Sequence, residues 1–202
     1  MPTATTPVSA SNITVIVLAA GRGERFAQSG GATHKLQALL AGKPVKDHVL
    51  QAVQASGLRW HVVEPQDGAG LQGMGDSIAR GVRATADAQG WLILPADLPL
   101  VQPQTLLQVA TALQEHPVAV PMWQGQQGHP VGFAAECFAA LSALDGDKGA
   151  SRIVQAYRHM QRVHMLQVED AGIAADIDTV DDLARAEAWL ASRNLALAVN
   201  ER

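Results

Sequence analysis

The sequence predicts a three-layer α/β sandwich built on a mostly parallel sheet. Three observations predict it. Short apolar runs alternate with stretches of helical periodicity. The first run, Thr14–Ala19, is β-branched or apolar at every position. No repeat or interdomain linker divides the chain. A strand covered by helices on both faces has no solvated side, so it reads as a continuous run without alternation.

The elements follow in order. Thr14–Ala19 is expected to be a central strand, followed by a polar, glycine-rich loop from Ala20 to His34. Val45–Ser56 has helical spacing and stops at Gly57, a natural C-cap. Trp60–Glu64 is a second strand stopped by Pro65, and Pro65–Gly75, with four glycines, is a loop. Asp76–Ala86 reads as a helix and Trp91–Pro95 as another buried strand. Helix Gln104–Glu115 lies between Pro103 and Pro117. Val118–Met122 is a strand, and Trp123–Phe133 a hairpin around Gly125–Pro130. Two short helices cover Ala134–His159, broken at Asp145–Gly149. Arg162–Val168 and the short Asp176–Asp178 are strands. Val180–Ser192 closes the fold as an amphipathic helix, which Thr179 and Asp182 would start as a capping box. Residues 1–12 read as a loose tail, 13–193 as a single domain and 194–202 as a C-terminal tail.

Composition narrows the class. Apolar residues make up 48% and charged residues 17%, a globular balance. No apolar run approaches the roughly 20 residues a membrane helix needs. The N-terminal residues lack the basic and apolar regions of a signal peptide. The single cysteine, Cys137, can form no internal disulfide and reads as a small buried hydrophobe, so a cytoplasmic location is expected. A net charge of −4 gives no ground for a nucleic-acid or membrane partner. The basic side chains Arg22, Arg25, Lys35, Lys43 and Lys46 nevertheless gather in the first 46 residues beside one acid, Glu24. Such a stretch on an acidic body is either a local anion site or a solvated loop.

The loop after the first strand suits the anion reading, although its GxGxxF pattern alone is weak evidence. It reads Leu18-Ala19-Ala20-Gly21-Arg22-Gly23-Glu24-Arg25-Phe26, with Lys35 further on. Glycines let backbone N–H groups approach phosphate without a Cβ in the way, and Arg25 and Lys35 add positive charge. The carboxyl end of a central strand is where α/β sheets bind ligands. A Walker loop is absent, and Phe26 stands where a dinucleotide fingerprint needs its third glycine.

Two acidic segments complete the chemistry. Asp97 in Pro95-Ala96-Asp97-Leu98-Pro99 directly follows a strand and suits a hard cation. An Asp there also commonly closes a turn; beside the glycine loop, the metal reading prevails. Asp178 in Asp176-Ile177-Asp178-Thr179 is either a second metal ligand facing Asp97 or the start of the last helix. Scattered histidines at 34, 48, 61, 116, 159 and 164 lack the spacing of a zinc site. His129 reads first as a turn residue.

In this order, LAAGRGERF with Lys35, GMGDS, PADLPLV, GHPVGF and DIDTVDDL resemble the MobA-like nucleotidyltransferases, over about Val15 to Leu183. The branch they most resemble is molybdenum cofactor cytidylyltransferase. The resemblance implies a Rossmann-like nucleotidyltransferase fold. It implies that Leu18, Ala19, Ala20, Gly21, Arg22 and Gly23 line a nucleotide, with Arg25 and Lys35 on its phosphates. Asp97 would match the family's magnesium-binding aspartate and Asp178 a second acid near that ion. Gly75 and Ser77 would lie along base and ribose, and His129 and Pro130 towards the acceptor. LAAG resembles the CTP-using branch, whereas LAGG marks the GTP-using one. Three stretches depart from the family pattern. Gln28–His34 lengthens the spacer before Lys35, Gly57–Gly73 is shortened, and Gly146–Arg152 carries its arginine one place late.

The activity so implied joins a nucleotidyl group, CMP from CTP, to a phosphorylated acceptor such as molybdopterin, with Mg2+ as cofactor and release of pyrophosphate. Arg25, Lys35 and Asp97 are its expected catalytic residues, and a molybdoenzyme could receive the product. Two other readings remain: a transferase using GTP or a sugar phosphate, and a nucleotide-binding delivery protein without turnover.

Overall fold

A computed structural model describes residues 12–65 and 73–200, with side chains to residue 193. The expected N-terminal tail and most of the shortened 57–73 segment's loop lie outside the described residues.

The expected order is present: β1 (Ile13–Leu18), α1 (Glu24–Gln28), β2 (Leu39–Leu40), β3 (Lys43–Pro44), α2 (Val45–Ser56), β4 (Arg59–Val63), α3 (Met74–Ala84), β5 (Gly90–Pro95), α4 (Pro103–Ala112), β6 (Val118–Trp123), β7 (Gln126–Gln127), β8 (Val131–Ala134), α5 (Phe138–Ser142), α6 (Ser151–His159), β9 (Val163–Gln167) and α7 (Val180–Asn200). The main sheet runs β4-β1-β5-β8-β6-β7, with β9 also on β6. β1 pairs in parallel with β4 and β5, and β6 with β9. β8 inserts antiparallel between β5 and β6. Because β1 is central, its carboxyl end opens into the middle of the molecule rather than at an edge.

Alternation along the strands separates two cores. Ile13, Val15, Val17, Leu92 and Leu94 face α2, α4 and α7. Ile16, Trp91 and Ile93 face α3, α5 and α6. Trp91 satisfies its indole N–H on Thr85 Oγ1 at 3.0 Å. Phe26, at the place a dinucleotide fingerprint would give to glycine, is 2% exposed within the first core. Burying it stabilises α1 by roughly 2–3 kcal/mol. Cys137 is buried, and burial pushes its thiol above the ordinary value.

Two expectations change. Asp176–Asp178 is not a strand. Only Ile177 donates outward along it, to the Asp97 carbonyl at 2.9 Å. The next two N–H groups, of Asp178 and Thr179, are taken by Asp182 Oδ2 at 3.1 and 2.6 Å. The helix cap therefore captures the donors a strand would need. Asp182 N–H returns a bond to Thr179 Oγ1 at 3.2 Å, completing the reciprocal box. Secondly, α7 does not end near Ser192 but continues to Asn200. No Gly or Pro interrupts 193–200, so nothing in the backbone stops it.

The cap carries a prediction. Asp182→Ala should lower stability by about 1–2 kcal/mol, the range for a lost N-cap. A urea midpoint within error of the parent's would show that the box contributes nothing.

Candidate active site

At the carboxyl ends of β1 and β5 lies a cleft of about 740 Å³. One wall is the loop Ala20–Arg25. Gly23 there adopts φ +66°, a left-handed conformation that only glycine takes without strain. A Cβ on Gly23 would also stand 3.3 Å from Lys35 Cγ. Among the described residues, the backbone N–H groups from Ala20 to Phe26 have no acceptor. Such a run of free amides on a cleft wall offers donors to an anion.

Gly21 is different in kind. Among the described residues other than its two chain neighbours, no atom lies within 4 Å of where its Cβ would stand, and the residue lines the cleft. Its missing side chain leaves room for a ligand and not for a neighbour.

The same cleft also carries acids. Lys35 Nζ sits 2.6 Å from Asp97 Oδ2 and 2.9 Å from Asp178 Oδ1. Arg25 reaches Asp178 Oδ2 at 2.7 Å from the solvent side. Three segments remote in sequence therefore meet at one charged knot. Burial pulls the Lys35 ammonium downward, but Asp97 and Asp178 together outweigh it and hold its pKa above the ordinary value. The Lys35 hydrogen bond is the main reason the Asp178 carboxyl lies below the usual range, with Arg25 adding to it against burial. Both charges are thus in place at neutral pH. Asp97 Oδ1 is buried and has no hydrogen-bond partner among the described residues. A carboxylate oxygen in that state lacks something to bind.

Asp176 also lines the cleft. Burial, then the neighbouring carboxylates of Asp178 and Asp97, push its pKa up. His129 is nearby; burial holds its imidazole below the ordinary value against the opposite pull of Asp97, so the ring is neutral at pH 7. Its backbone N–H donates to Ile173 O at 2.8 Å. That turn is secured by Asp170, which accepts from Thr105 Oγ1 at 2.6 Å, Gln102 N–H and Gly172 N–H at 2.9 Å.

Of the residues singled out by sequence, Leu18, Ala20, Gly21, Arg22, Gly23, Arg25, Lys35, Ser77, Asp97, His129 and Asp178 share this cleft. Ala19, Gly75 and Pro130 do not line it. Ala19 is buried and its N–H donates to Val63 O at 2.9 Å. Gly75 is a packing glycine: a Cβ would stand 2.4 Å from Asp145 O. Pro130 is buried behind a cis peptide bond to His129. Lys43 and Lys46 are engaged elsewhere, on Gln51 and Glu64.

Sequence reasoning passed over Met74, Gln126 and Gln127, which also line the cleft. It dismissed His34, whose Nε2 lies 2.8 Å from Gly21 O while its Nδ1 accepts from Leu36 N–H at 3.3 Å. The usable signal for His34 was its position immediately before the lysine, not its spacing from other histidines.

An amide-lined loop, two cations and two carboxylates thus meet in one cleft at the sheet's carboxyl end. Residues 15–163 match the family described as the MobA-like NTP transferase domain. This chain belongs to that family. The MobA-like chain is 32% identical over 126 residues to the purine catabolism protein PucB of Bacillus subtilis, a match covering 61% of this chain. It spans about 60% of PucB's length. Among solved structures it is similar to Rv0371c of Mycobacterium tuberculosis H37Rv, with a TM-score of 0.67, 26% identity, and coverage of 89% of this chain and 98% of that one. Rv0371c has also been crystallised with manganese, and that form gives a TM-score of 0.63 at 25% identity, covering 87% and 98% of the two chains. A nucleotidyl transferase from Methanothermobacter shares the fold, with a TM-score of 0.72 at 21% identity over 90% of this chain and 98% of the other. No described helix of the MobA-like chain is long and apolar enough to cross a membrane.

Proposed function

We propose that this protein transfers a nucleotidyl group from a nucleoside triphosphate to a phosphorylated small molecule, releasing pyrophosphate. The observation that carries the reading is the knot of Lys35 and Arg25 on Asp97 and Asp178, in the same cleft as a loop whose amides have no acceptor among the described residues. CMP from CTP is the group, on the resemblance of Leu18-Ala19-Ala20-Gly21 to the CTP-using branch, and molybdopterin is the acceptor, on the GHPVGF and DIDTVDDL motifs.

The donor set fits a divalent ion of the magnesium type. Asp97 and Asp178 supply hard oxygens, and the orphaned Asp97 Oδ1 is a free one. The manganese complex of Rv0371c supports a divalent ion in this reading. Asp97 and Asp178 would hold it, and when bound it supplies charge neutralisation on phosphate oxygens.

The chain's own residues account for the rest. An acceptor phosphate monoester has its second pKa near ~6, so its oxygen is largely ionised at neutral pH and needs no general base. That oxygen forms a bond to the α-phosphorus. The bond from α-phosphorus to the bridging oxygen breaks, and pyrophosphate leaves with the electron pair. Arg25 is well placed to follow it. Its side chain is 78% exposed and held by a single ion pair, worth no more than about 1 kcal/mol in that setting. A polyphosphate can draw it away from Asp178. Lys35, 11% exposed, stays in the corner and balances the two acids. The amides of Ala20–Gly23 orient the phosphate chain, and positioning lowers the barrier further.

Pyrophosphate release tests the function directly. CTP with molybdopterin and Mg2+ should yield it, and panels of the other triphosphates and of sugar phosphates rank the substrates. No pyrophosphate from any donor–acceptor pair would sink the transferase reading.

Gly21 offers a cleaner test of the nucleotide wall. Gly21→Ala adds a methyl that meets no protein atom, so thermal stability should stay within a few tenths of a kcal/mol of the parent. Triphosphate affinity should fall roughly tenfold or more, since the methyl occupies ligand space. Unchanged affinity in calorimetry would place the nucleotide elsewhere.

A further inference from the structure

His34 lies beside the cleft, not in it, and touches both halves of the machinery. Its exposed imidazole contacts the Gly21 carbonyl through Nε2 at 2.8 Å. Nδ1 accepts from the Leu36 N–H, in the turn that carries Lys35. A nitrogen accepting a backbone proton has none of its own, so in the neutral ring Nε2 holds the proton and donates it to Gly21 O.

That one bond orients a peptide. The Gly21–Arg22 bond is trans, since the only cis bond among the described residues is His129–Pro130. In a planar trans peptide the C=O and the following N–H point in opposite directions. With Gly21 C=O turned to His34, the Arg22 N–H is turned away from it. Arg22 N–H has no acceptor among the described residues. Gly21 and Arg22 line the cleft, whereas His34 does not.

We propose that His34 is a positioning residue: it locks the Gly21–Arg22 peptide so that the Arg22 N–H donates to the bound phosphate chain. Glycine at 21 makes the lock necessary. Without a Cβ and with no protein atom near that position, the peptide could otherwise rotate and present its carbonyl oxygen to an anion. The same ring ties the amide wall to the Lys35 turn, so both approach the phosphates as one unit. The inference rests on the nucleotide-binding reading above.

The experiment measures CTP affinity, in magnesium, for the parent, His34→Ala and His34→Gln. Glutamine keeps an N–H donor at the reach of Nε2; alanine removes it. The expected result is a roughly tenfold loss for His34→Ala with recovery to within about threefold for His34→Gln, while melting temperatures stay close. An amide-resolved NMR spectrum adds a readout that general destabilisation would not move. The Arg22 amide should shift on CTP binding in the parent and His34→Gln, and much less in His34→Ala. Equal affinity of His34→Ala and the parent overturns the inference, as does a glutamine variant as weak as alanine. A parent that binds no nucleoside triphosphate is a different failure, and it removes the nucleotide reading itself.

Discussion

Asp97→Asn should reduce turnover by about 10³-fold while leaving the fold intact, the largest single effect expected at this site. The substitution keeps the side chain's size and leaves untouched the Asp97 carbonyl that accepts from Ile177. What it removes is one negative charge and one of two candidate metal oxygens. It also turns one Lys35 contact from an ion pair into a weaker hydrogen bond. Circular dichroism and melting should therefore change little, whereas pyrophosphate release and manganese affinity should both fall. Magnesium-supported turnover equal to the parent's would show that Asp97 holds no ion.

Lys35→Met is expected to cost about 2–3 kcal/mol of stability, less than a fully buried pair because Asp178 is partly exposed. Methionine fills the space of the lysine stem but leaves Asp97 and Asp178 facing each other without the ammonium between them. The pH dependence should change. In the parent, the lowered Asp178 pKa contributes stability that is present above the usual carboxylate range. That contribution disappears as pH falls through the folded value. The raised Lys35 pKa contributes below the ordinary lysine value and is lost as pH rises through its own folded value. The variant loses the Lys35 contribution and keeps only the part of the Asp178 one that Arg25 supplies, and its ionised acids repel. Acidification towards the usual carboxylate range should relieve that repulsion in the variant, whereas the parent keeps its Asp178 contribution until pH falls below that range. Manganese should likewise raise the variant's melting temperature more than the parent's, since the ion can take up the unbalanced charge. Parallel stability–pH curves for the two proteins would refute the bridging role of Lys35.

Much of this was legible in the residues. β1 and β5 could be read because an apolar run with no polar side admits only a doubly covered strand. α2 could be read because its spacing ends at a glycine that takes φ +70°. Arg25, Lys35 and Asp97 could be expected together because the glycine loop and the aspartate each follow the end of a buried strand, and the three do line one cleft. Their pairing was not legible. Sequence reading put the cations on phosphate and the acids on metal, and nothing in a spacing tells that they meet across 62 and 143 residues. The Asp176–Asp178 segment was misread as a strand because its alternation mimics one, while the capping acid that claims its donors lies four residues beyond Asp178. Gly75 was placed along base and ribose on the family resemblance of its motif, and a glycine in a motif looks alike whether it admits a ligand or the Asp145 backbone. His34 was lost because it acts on a carbonyl, and carbonyls leave no trace in a sequence.

The charged knot has a consequence for how the protein comes into being. Arg25 and Asp178 are 153 positions apart, so the cluster is a long-range closure that local structure cannot anticipate. During synthesis the amide loop and the lysine emerge first. They wait for about 150 further residues to be made before Asp178 can join them. A nascent chain cut short before Asp178 would carry the early strands yet have a half-built pocket, so competence to bind would trail the formation of its first wall by most of a domain's length.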